Sequence, residues 1–243
     1  MEVLEAALET ATGTAITLRG AGRTDAGVHA VGQAIAFRSE TALPPDALRH
    51  ICLQILPPSV RVSCVEEAPP GWNPQRDAVR KLYRYRVLES ARPSPALEHI
   101  AWRVGLALDI DAMRDASRAL IGQHDFRAFR NDPGRARRDE GTVRTIESIT
   151  LERRLDLLHI DVVGPGFLYM MVRNVSAALM EVGRGHRDSA WVAELLASRD
   201  RRLGPAPAPA HGLTLENVEY ADGFGQVAES DAVRSCWKVP RRR

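Results

Sequence analysis

The sequence predicts an α+β fold made of two ferredoxin-like domains, each a split β-α-β unit with a largely antiparallel sheet. The second half has the element order strand, helix, strand, strand, helix, strand. The first half has the same order without an opening strand. The chain has 243 residues, enough for two domains of roughly 100 to 150 residues each. Because Pro93 and Pro95 mark a break, we predict one domain over residues 1–100 and another over residues 101–243.

Hydrophobic periodicity predicts each element of the first domain. In order, these elements are a helix at 3–10, strands at 14–19 and 31–37, a helix at 46–56 after two prolines, and strands at 60–65 and 82–88. The first helix begins next to Met1 with no capping residue, and no strand precedes it. We therefore expect that the chain lacks an N-terminal strand, which would leave sheet edges unpaired and lower its stability.

The same periodicity predicts the second domain. Its elements are a strand at 102–108, a helix at 109–121, strands at 145–153 and 157–163, helices at 167–182 and 189–197, and a strand at 213–220. A proline- and alanine-rich segment at 205–210 is predicted as a linker before the last strand.

Composition narrows the class of protein. Hydrophobic residues make up 44% of the chain and charged residues 26%, values typical of a soluble globular protein. The cysteines, Cys52, Cys64 and Cys236, are far apart and lack a CxxC spacing, which argues against a disulfide framework and a zinc site. The chain has no apolar run near 18 residues and no secretory signal segment. We therefore expect a cytoplasmic protein with no membrane partner.

Arginines cluster although the net charge is only +2. The clusters are Arg135, Arg137 and Arg138, then Arg199, Arg201 and Arg202, and finally Arg241 to Arg243. Such basic patches suit a polyanionic partner such as a nucleic acid. Charge alone favours the other explanation, an ordinary solvated surface.

The glycine-rich loop, residues 20–30, is the strongest candidate in the sequence for a functional site. Its three glycines permit close approach of the backbone to a ligand, so the loop can present Asp25 at the edge of a sheet. Arg23 would keep that carboxylate ionised if its side chain turned back toward it. The alternative is a hairpin loop in which Thr24 and Asp25 bond only their own backbone. A phosphate-binding loop is disfavoured, because the pattern is not GxxxxGK[ST] and a strand follows it.

Residues 22–29 read Gly-Arg-Thr-Asp-Ala-Gly-Val-His, a run that resembles the signature of the tRNA pseudouridine synthase A family. Further resemblances extend over most of the chain. They are Leu-Tyr-Arg-Tyr at 82–85, Gly-Gln-His-Asp-Phe at 122–126 with Phe129, Val-Arg-Thr-Ile at 143–146, Phe-Leu-Tyr-Met-Met-Val-Arg-Asn at 167–174, and Ala-His-Gly-Leu-Thr-Leu at 210–215. The resemblance implies the pseudouridine synthase fold.

Two segments depart from the family pattern. Trp-Asn-Pro-Gln-Arg at 72–76 stands where the family has an aromatic-His-Ala-Arg-aromatic run, so one arginine contact to RNA is displaced or absent. The family's opening strand, with its Tyr-Asp-Gly and Gly-Trp segment, has no match in this chain.

The resemblance also implies residue roles. Asp25 corresponds to the essential catalytic aspartate, Tyr83 to the tyrosine that lies against the target uracil, and Arg173 to the basic residue that pairs with the aspartate. Periodicity alone would equally allow Tyr83 as an ordinary strand aromatic and Arg173 as a solvent-facing charge. Arg23 is a further candidate for substrate binding. The candidates for contact with RNA phosphates are Arg130, Arg135, Arg137 and Arg138.

The implied reaction converts uridine to pseudouridine. The C1′–N1 glycosidic bond breaks, the uracil turns in place, and its C5 bonds to C1′. This isomerisation needs no redox partner, so we expect no cofactor and no metal. The resemblance further implies tRNA as the partner, uridines 38, 39 and 40 of the anticodon stem-loop as targets, and a homodimer.

Other functions remain open at this point. A catalytically impaired, N-terminally truncated protein would act only as an RNA-binding protein. An aspartate-dependent hydrolase would need a second carboxylate or a metal cluster beside Asp25, and the loop supplies neither. Whether Asp25 acts as nucleophile or as general base is also left open.

Overall fold

A computed structural model describes residues 1–132 and 141–221 of the chain. The six α-helices of these residues are α1 (Glu2–Thr12), α2 (Pro45–Ile55), α3 (Pro95–Glu98), α4 (Ile110–Arg118), α5 (Met171–Gly183) and α6 (Trp191–Ser198). The ten strands are β1 (Arg19–Gly20), β2 (His29–Ala30), β3 (Ile35–Ala36), β4 (Ala78–Leu88), β5 (Trp102–Arg103), β6 (Gly122–Asp125), β7 (Val143–Ile146), β8 (Ser148–Arg154), β9 (Leu157–Gly164) and β10 (Leu213–Tyr220).

A six-stranded sheet forms the centre of the molecule. Its order is β2-β10-β4-β9-β8, and β5 pairs with the end of β4. The β10-β4, β4-β9 and β9-β8 pairs are antiparallel, whereas β2 and β5 each add a short parallel pair. The predicted α+β class with a largely antiparallel sheet is confirmed.

The long strand β4 holds this sheet together. Successive side chains of a strand point to opposite faces, and Tyr83, Tyr85 and Val87 belong to the hydrophobic core that also contains residues of α4 and α5. On the opposite face, Arg84 makes a bidentate ion pair with Asp161 of β9, with N–O distances of 2.7 and 2.6 Å. Because β4 contributes to packing on both faces of the sheet, it fixes the positions of the side chains along it, including Tyr83.

All five helices predicted from the sequence are present, and local contacts explain the bounds of two of them. Helix α4 begins after Asp109, whose carboxylate accepts a hydrogen bond from the Ala112 N–H at 2.9 Å. Helix α5 was predicted from residue 167 but begins at Met171, because Met170 has a left-handed backbone with a φ of 59°.

The predicted strand at 14–19 is wrong except for its end. Glu9 of α1 accepts a hydrogen bond from the Ile16 N–H and Glu5 accepts one from the Leu18 N–H, both at 3.1 Å. The carboxylates of α1 therefore accept the backbone hydrogen bonds that a neighbouring strand would accept in a sheet. The side chains of Ile16 and Leu18 still point into a second, smaller core with α1 and α2.

Other predicted strands are shorter than the alternation of apolar residues suggested. Residues 60–65 contain no strand, although Val60 and Val62 pack on the smaller core. The strand predicted at 31–37 is limited to β3, and the strand predicted at 102–108 is limited to β5. Strand β4 lies between β9 and β10, and this leaves β5 only the last two residues of β4 to pair with.

The division into domains at residues 1–100 and 101–243 stays a prediction. The smaller core draws only on residues of the first range. The central sheet, in contrast, combines β2 and β4 from the first range with β8, β9 and β10 from the second.

Candidate active site

The glycine-rich loop connects β1 to β2 and lies against the last strand. Ala21 N–H donates to the Ala34 carbonyl at 2.8 Å, and β2 pairs in parallel with β10. Within the loop, Val28 N–H donates to the Asp25 carbonyl at 3.0 Å. Gly27 has a φ of +83°, and an added Cβ would lie 3.3 Å from the Ala210 side chain. This turn therefore requires glycine for its backbone conformation and has little space for a side chain.

Asp25 pairs with Arg173 of helix α5. The distance between Arg173 Nη1 and Asp25 Oδ2 is 3.0 Å, and the two side chains are 12% and 18% exposed. Arg173 Nε also donates to the Ala208 carbonyl at 2.8 Å. One guanidinium thus connects the glycine-rich loop to the Pro–Ala segment, residues 205–210, and a pair this sheltered is screened less than a surface pair.

Arg23 occupies a different environment. Its side chain is exposed, and within residues 1–132 and 141–221 it has no ion pair with Asp25. The stabilising charge that the sequence suggested for Arg23 comes instead from Arg173. A role for Arg23 in binding substrate stays a prediction.

Tyr83 of β4 lies close to the Asp25 carboxylate. It is 9% exposed, and its ring meets Phe167 edge to face with a centroid distance of 5.3 Å. Burial, together with the negative charge of Asp25, raises the pKa of Tyr83 to about 12. The hydroxyl therefore stays protonated at neutral pH and can donate a hydrogen bond.

Tyr85 and the Pro–Ala segment also contribute to the site, although the sequence did not predict their contact. Tyr85 Oη donates to the Pro209 carbonyl at 2.9 Å. A Cβ added to Gly212 would lie 2.6 Å from the Tyr85 ring, so the segment passes close to β4 only because residue 212 is glycine. The two-residue spacing of Tyr83 and Tyr85 was a usable signal for a shared face, but the segment 205–210 was predicted only as a linker.

A polar network surrounds Asn174, the residue that follows Arg173 in helix α5. Asn174 Nδ2 donates to the Phe129 carbonyl at 2.8 Å and to Asn131 Oδ1 at 2.9 Å. Arg201 donates to Asn131 Oδ1 at 2.9 Å and to Asn174 Oδ1 at 2.8 Å. Arg130, which is half-buried, lies in the chain between Phe129 and Asn131, two members of this network. The other predicted RNA contacts, Arg135, Arg137 and Arg138, lie outside the described residues.

The segment that departs from the family pattern packs under the end of β10. The Trp72 and Tyr220 rings lie 5.1 Å apart between centroids, and Tyr220 Oη donates to the Pro74 carbonyl at 2.7 Å. Arg76 forms an ion pair with Asp77 at 2.7 Å and is 69% exposed.

Neither a metal site nor a membrane segment is found in the described chain. Within residues 1–132 and 141–221, no three His, Cys, Asp or Glu side chains are placed to hold a metal ion. In the same two ranges, no helix is both long and apolar enough to cross a membrane.

The site therefore combines one sheltered carboxylate, one guanidinium and one protonated phenol. The carboxylate is 18% exposed, so it remains reachable by a ligand. Such a group can act as a nucleophile or accept a proton, and the guanidinium fixes its orientation.

Comparison with known proteins identifies the family. A sequence profile described as tRNA pseudouridine synthase matches residues 116–221. The tRNA pseudouridine synthase A of Myxococcus xanthus is 42% identical over 222 residues, which is 91% of this chain and 83% of that protein. The protein of that name in Geobacter sp. (strain M21) is 40% identical over 91% of this chain and 89% of its own length. The tRNA pseudouridine synthase A 2 of Clostridium tetani is 37% identical over 89% and 86%. The chain belongs to the tRNA pseudouridine synthase A family, a family of isomerases, which confirms the resemblance drawn from the motifs.

Proposed function

We propose that this protein isomerises uridine to pseudouridine in the anticodon stem-loop of tRNA, at positions 38, 39 and 40. The observation that carries the proposal is the Asp25–Arg173 pair beside Tyr83, in a chain whose relatives are named tRNA pseudouridine synthase A. The enzyme acts in the cytoplasm as a homodimer and uses no cofactor.

Asp25 is the catalytic residue in this proposal. The C1′–N1 bond breaks, the detached uracil turns, and C5 bonds to C1′, so that the product has the same atoms as the substrate. Asp25 either attacks the sugar as a nucleophile or removes a sugar proton, and both routes need an ionised carboxylate. Arg173 supports this role, because its Nη1 lies 3.0 Å from Asp25 Oδ2 and holds the carboxylate in one orientation.

Tyr83 holds the uracil once it has left the RNA stack. An enzyme that acts on a stacked base must extrude it, at a cost of a few kcal/mol. Stacking on an aromatic ring offsets roughly 1 to 3 kcal/mol of that cost. The ring is held edge to face by Phe167, and the buried hydroxyl stays protonated and is free of charge repulsion with the Asp25 carboxylate.

In this proposal, several arginines contact the tRNA backbone. Arg23 is exposed in the same loop as Asp25, and Arg130 is followed in the sequence by Arg135, Arg137 and Arg138. Contacts of this kind position an RNA without reading its sequence. An enzyme that recognises shape in this way suits several neighbouring uridines better than a single one.

The test compares the wild-type protein with an Asp25→Asn variant on a tRNA that carries uridine at position 39. Carbodiimide labelling followed by primer extension detects pseudouridine, and filter binding measures affinity for the tRNA. We expect product from the wild type, none from Asp25→Asn, and equal binding by both proteins. The matched control is Asp111→Asn, which makes the same change at a carboxylate that is 90% exposed on helix α4.

Two results would contradict the proposal. Binding without product in the wild type would indicate the catalytically impaired RNA-binding protein considered above. Substantial product from Asp25→Asn would remove the catalytic role from Asp25.

A further inference from the structure

Lys81 is a buried cation beneath the glycine-rich loop. It is only 7% exposed, although lysine is rarely buried without a partner. Lys81 Nζ donates to the Ala21 carbonyl at 2.7 Å, and Ala21 itself is fully buried. Among residues 1–132 and 141–221, no carboxylate pairs with this ammonium. A lysine in this position calls for an explanation other than charge pairing.

Lys81 lies on the face of β4 that carries Tyr83 of the candidate active site. Lys81 and Tyr83 are two residues apart on the strand and therefore share a face. A Cβ added to Gly22 would lie 3.4 Å from Tyr83 Oη and 3.8 Å from Lys81 Nζ. The ends of both side chains thus meet under Gly22, three residues before Asp25.

Two side chains hold consecutive carbonyls of the loop. Lys81 donates to the Ala21 carbonyl, and Gln33 Nε2 donates to the Gly22 carbonyl at 2.7 Å. Both carbonyls belong to the stretch that leads into Asp25, and neither contact uses the strand ladder of β1 and β3. Hydrogen bonds from a charged donor are roughly twice as strong as neutral ones. The Lys81 contact is therefore the stronger of the two anchors.

We infer that Lys81 is a positioning residue of this site, whose ammonium holds the Ala21–Gly22 backbone over Tyr83 and so fixes Asp25 against Arg173. The inference rests on the proposed function and adds a residue to its machinery. Burial lowers the pKa of Lys81 from its ordinary value, because desolvation disfavours the charged form. Lys81 touches the loop and acts through Asp25.

The test is a Lys81→Met variant, which keeps the length of the side chain and removes the donor. A displacement of a catalytic group by about 1 Å can cost about 100-fold in rate, so we expect kcat to fall by roughly 10- to 100-fold. KM for tRNA should change by less than about threefold, because the RNA-contacting arginines are untouched. Lys81→Arg restores a charged donor and should recover at least about tenfold of the lost rate.

The matched control is Arg80→Met on the same strand, at an arginine that is 44% exposed and points away from the site. It should leave kcat unchanged. Melting temperature and tRNA affinity are measured for every variant. A kcat of Lys81→Met within twofold of the wild type overturns the inference. So does an equal loss in Lys81→Arg, or a lost rate fully explained by unfolding.

The same experiment separates this inference from the proposed function. If the wild type forms no pseudouridine, the proposed function fails. If the wild type is active, Asp25→Asn is inactive and Lys81→Met is as fast as the wild type, only the role of Lys81 fails.

Discussion

Arg173 joins two parts of the chain through one guanidinium: its Nη1 lies 3.0 Å from Asp25 Oδ2, and its Nε donates to the Ala208 carbonyl at 2.8 Å. Asp25 and Arg173 are 148 positions apart in the sequence. The geometry of the carboxylate therefore depends on helix α5 and on the Pro–Ala segment as much as on its own loop.

Replacing Arg173 should show that the geometry of its guanidinium contributes to the reaction in addition to its charge. Lysine carries a positive charge but lacks the planar fork that makes both contacts at once. Hydrogen bonds to charged groups contribute about 1.5 to 3 kcal/mol, so we expect Arg173→Lys to lower the single-turnover rate by roughly 10- to 100-fold. Arg173→Met should lower it further, because the sheltered Asp25 carboxylate then loses its counterion.

The control for that prediction is Arg118→Lys, at an arginine that is 77% exposed on helix α4 and pairs with Asp115. Its rate should match the wild type. A wild-type rate in Arg173→Lys would show that a point charge is sufficient and that the second contact to Ala208 has no effect on the reaction.

Tyr83 variants should separate stacking from hydrogen bonding. Tyr83→Phe keeps the ring and its contact with Phe167, whereas Tyr83→Leu removes both. If stacking is the main role, Tyr83→Leu should weaken retention of the extruded base by about 1 to 3 kcal/mol more than Tyr83→Phe. Rates of pseudouridine formation on one tRNA, with both proteins checked for melting temperature, provide the measurement. Equal and complete losses would instead assign the role to the hydroxyl.

The sequence predicted the pairing of Asp25 with Arg173 better than it predicted the strands. The motif around Asp25 and the apolar pattern of β4 are local, and local patterns identify elements well. In contrast, Ile16 and Leu18 alternate like a strand, yet Glu5 and Glu9 of the adjacent helix satisfy their N–H groups. That outcome depends on which element lies alongside, and apolar alternation alone does not contain this information.

The same limit explains the residues that sequence analysis missed. Nothing local distinguishes Lys81 from other charged residues on a strand, and its burial follows only from the loop folded over it. The Pro–Ala segment offers backbone carbonyls from Ala208 and Pro209 to Arg173 and Tyr85. Backbone acceptors carry no signature in the side-chain sequence, so tertiary contacts alone reveal them.

Salt dependence should identify the arginines that contact RNA. Affinity for nucleic acid falls with salt in proportion to the number of phosphates neutralised. Replacing Arg135, Arg137 and Arg138 together with alanine should therefore flatten the slope of log K against log salt by about 2 to 3. The matched control replaces Arg103, Arg114 and Arg118, which occupy exposed ion pairs. An unchanged slope in the first variant would exclude residues 135–138 from the RNA contact.

His159 should make the protein sensitive to acid, although it lies on the far side of β9 from the core. Burial lowers the pKa of His159 to about 4, and the nearby guanidinium groups of Arg84 and Arg86 add to this effect, while Asp161 opposes it. The folded protein thus prefers the neutral imidazole, whereas the unfolded chain binds a proton near the ordinary pKa of 6.5. The contribution of neutral His159 to the free energy of unfolding is therefore fully present above pH 6.5 and is lost as the pH falls toward 4.

A His159→Gln variant should lose less stability over that range, because glutamine does not titrate. Urea midpoints measured at several pH values between about 7 and 4.5 provide the comparison. The control is His50→Gln, at an exposed histidine on helix α2, which should follow the wild type. Parallel pH curves for the wild type and His159→Gln would mean that groups other than His159 cause the acid sensitivity.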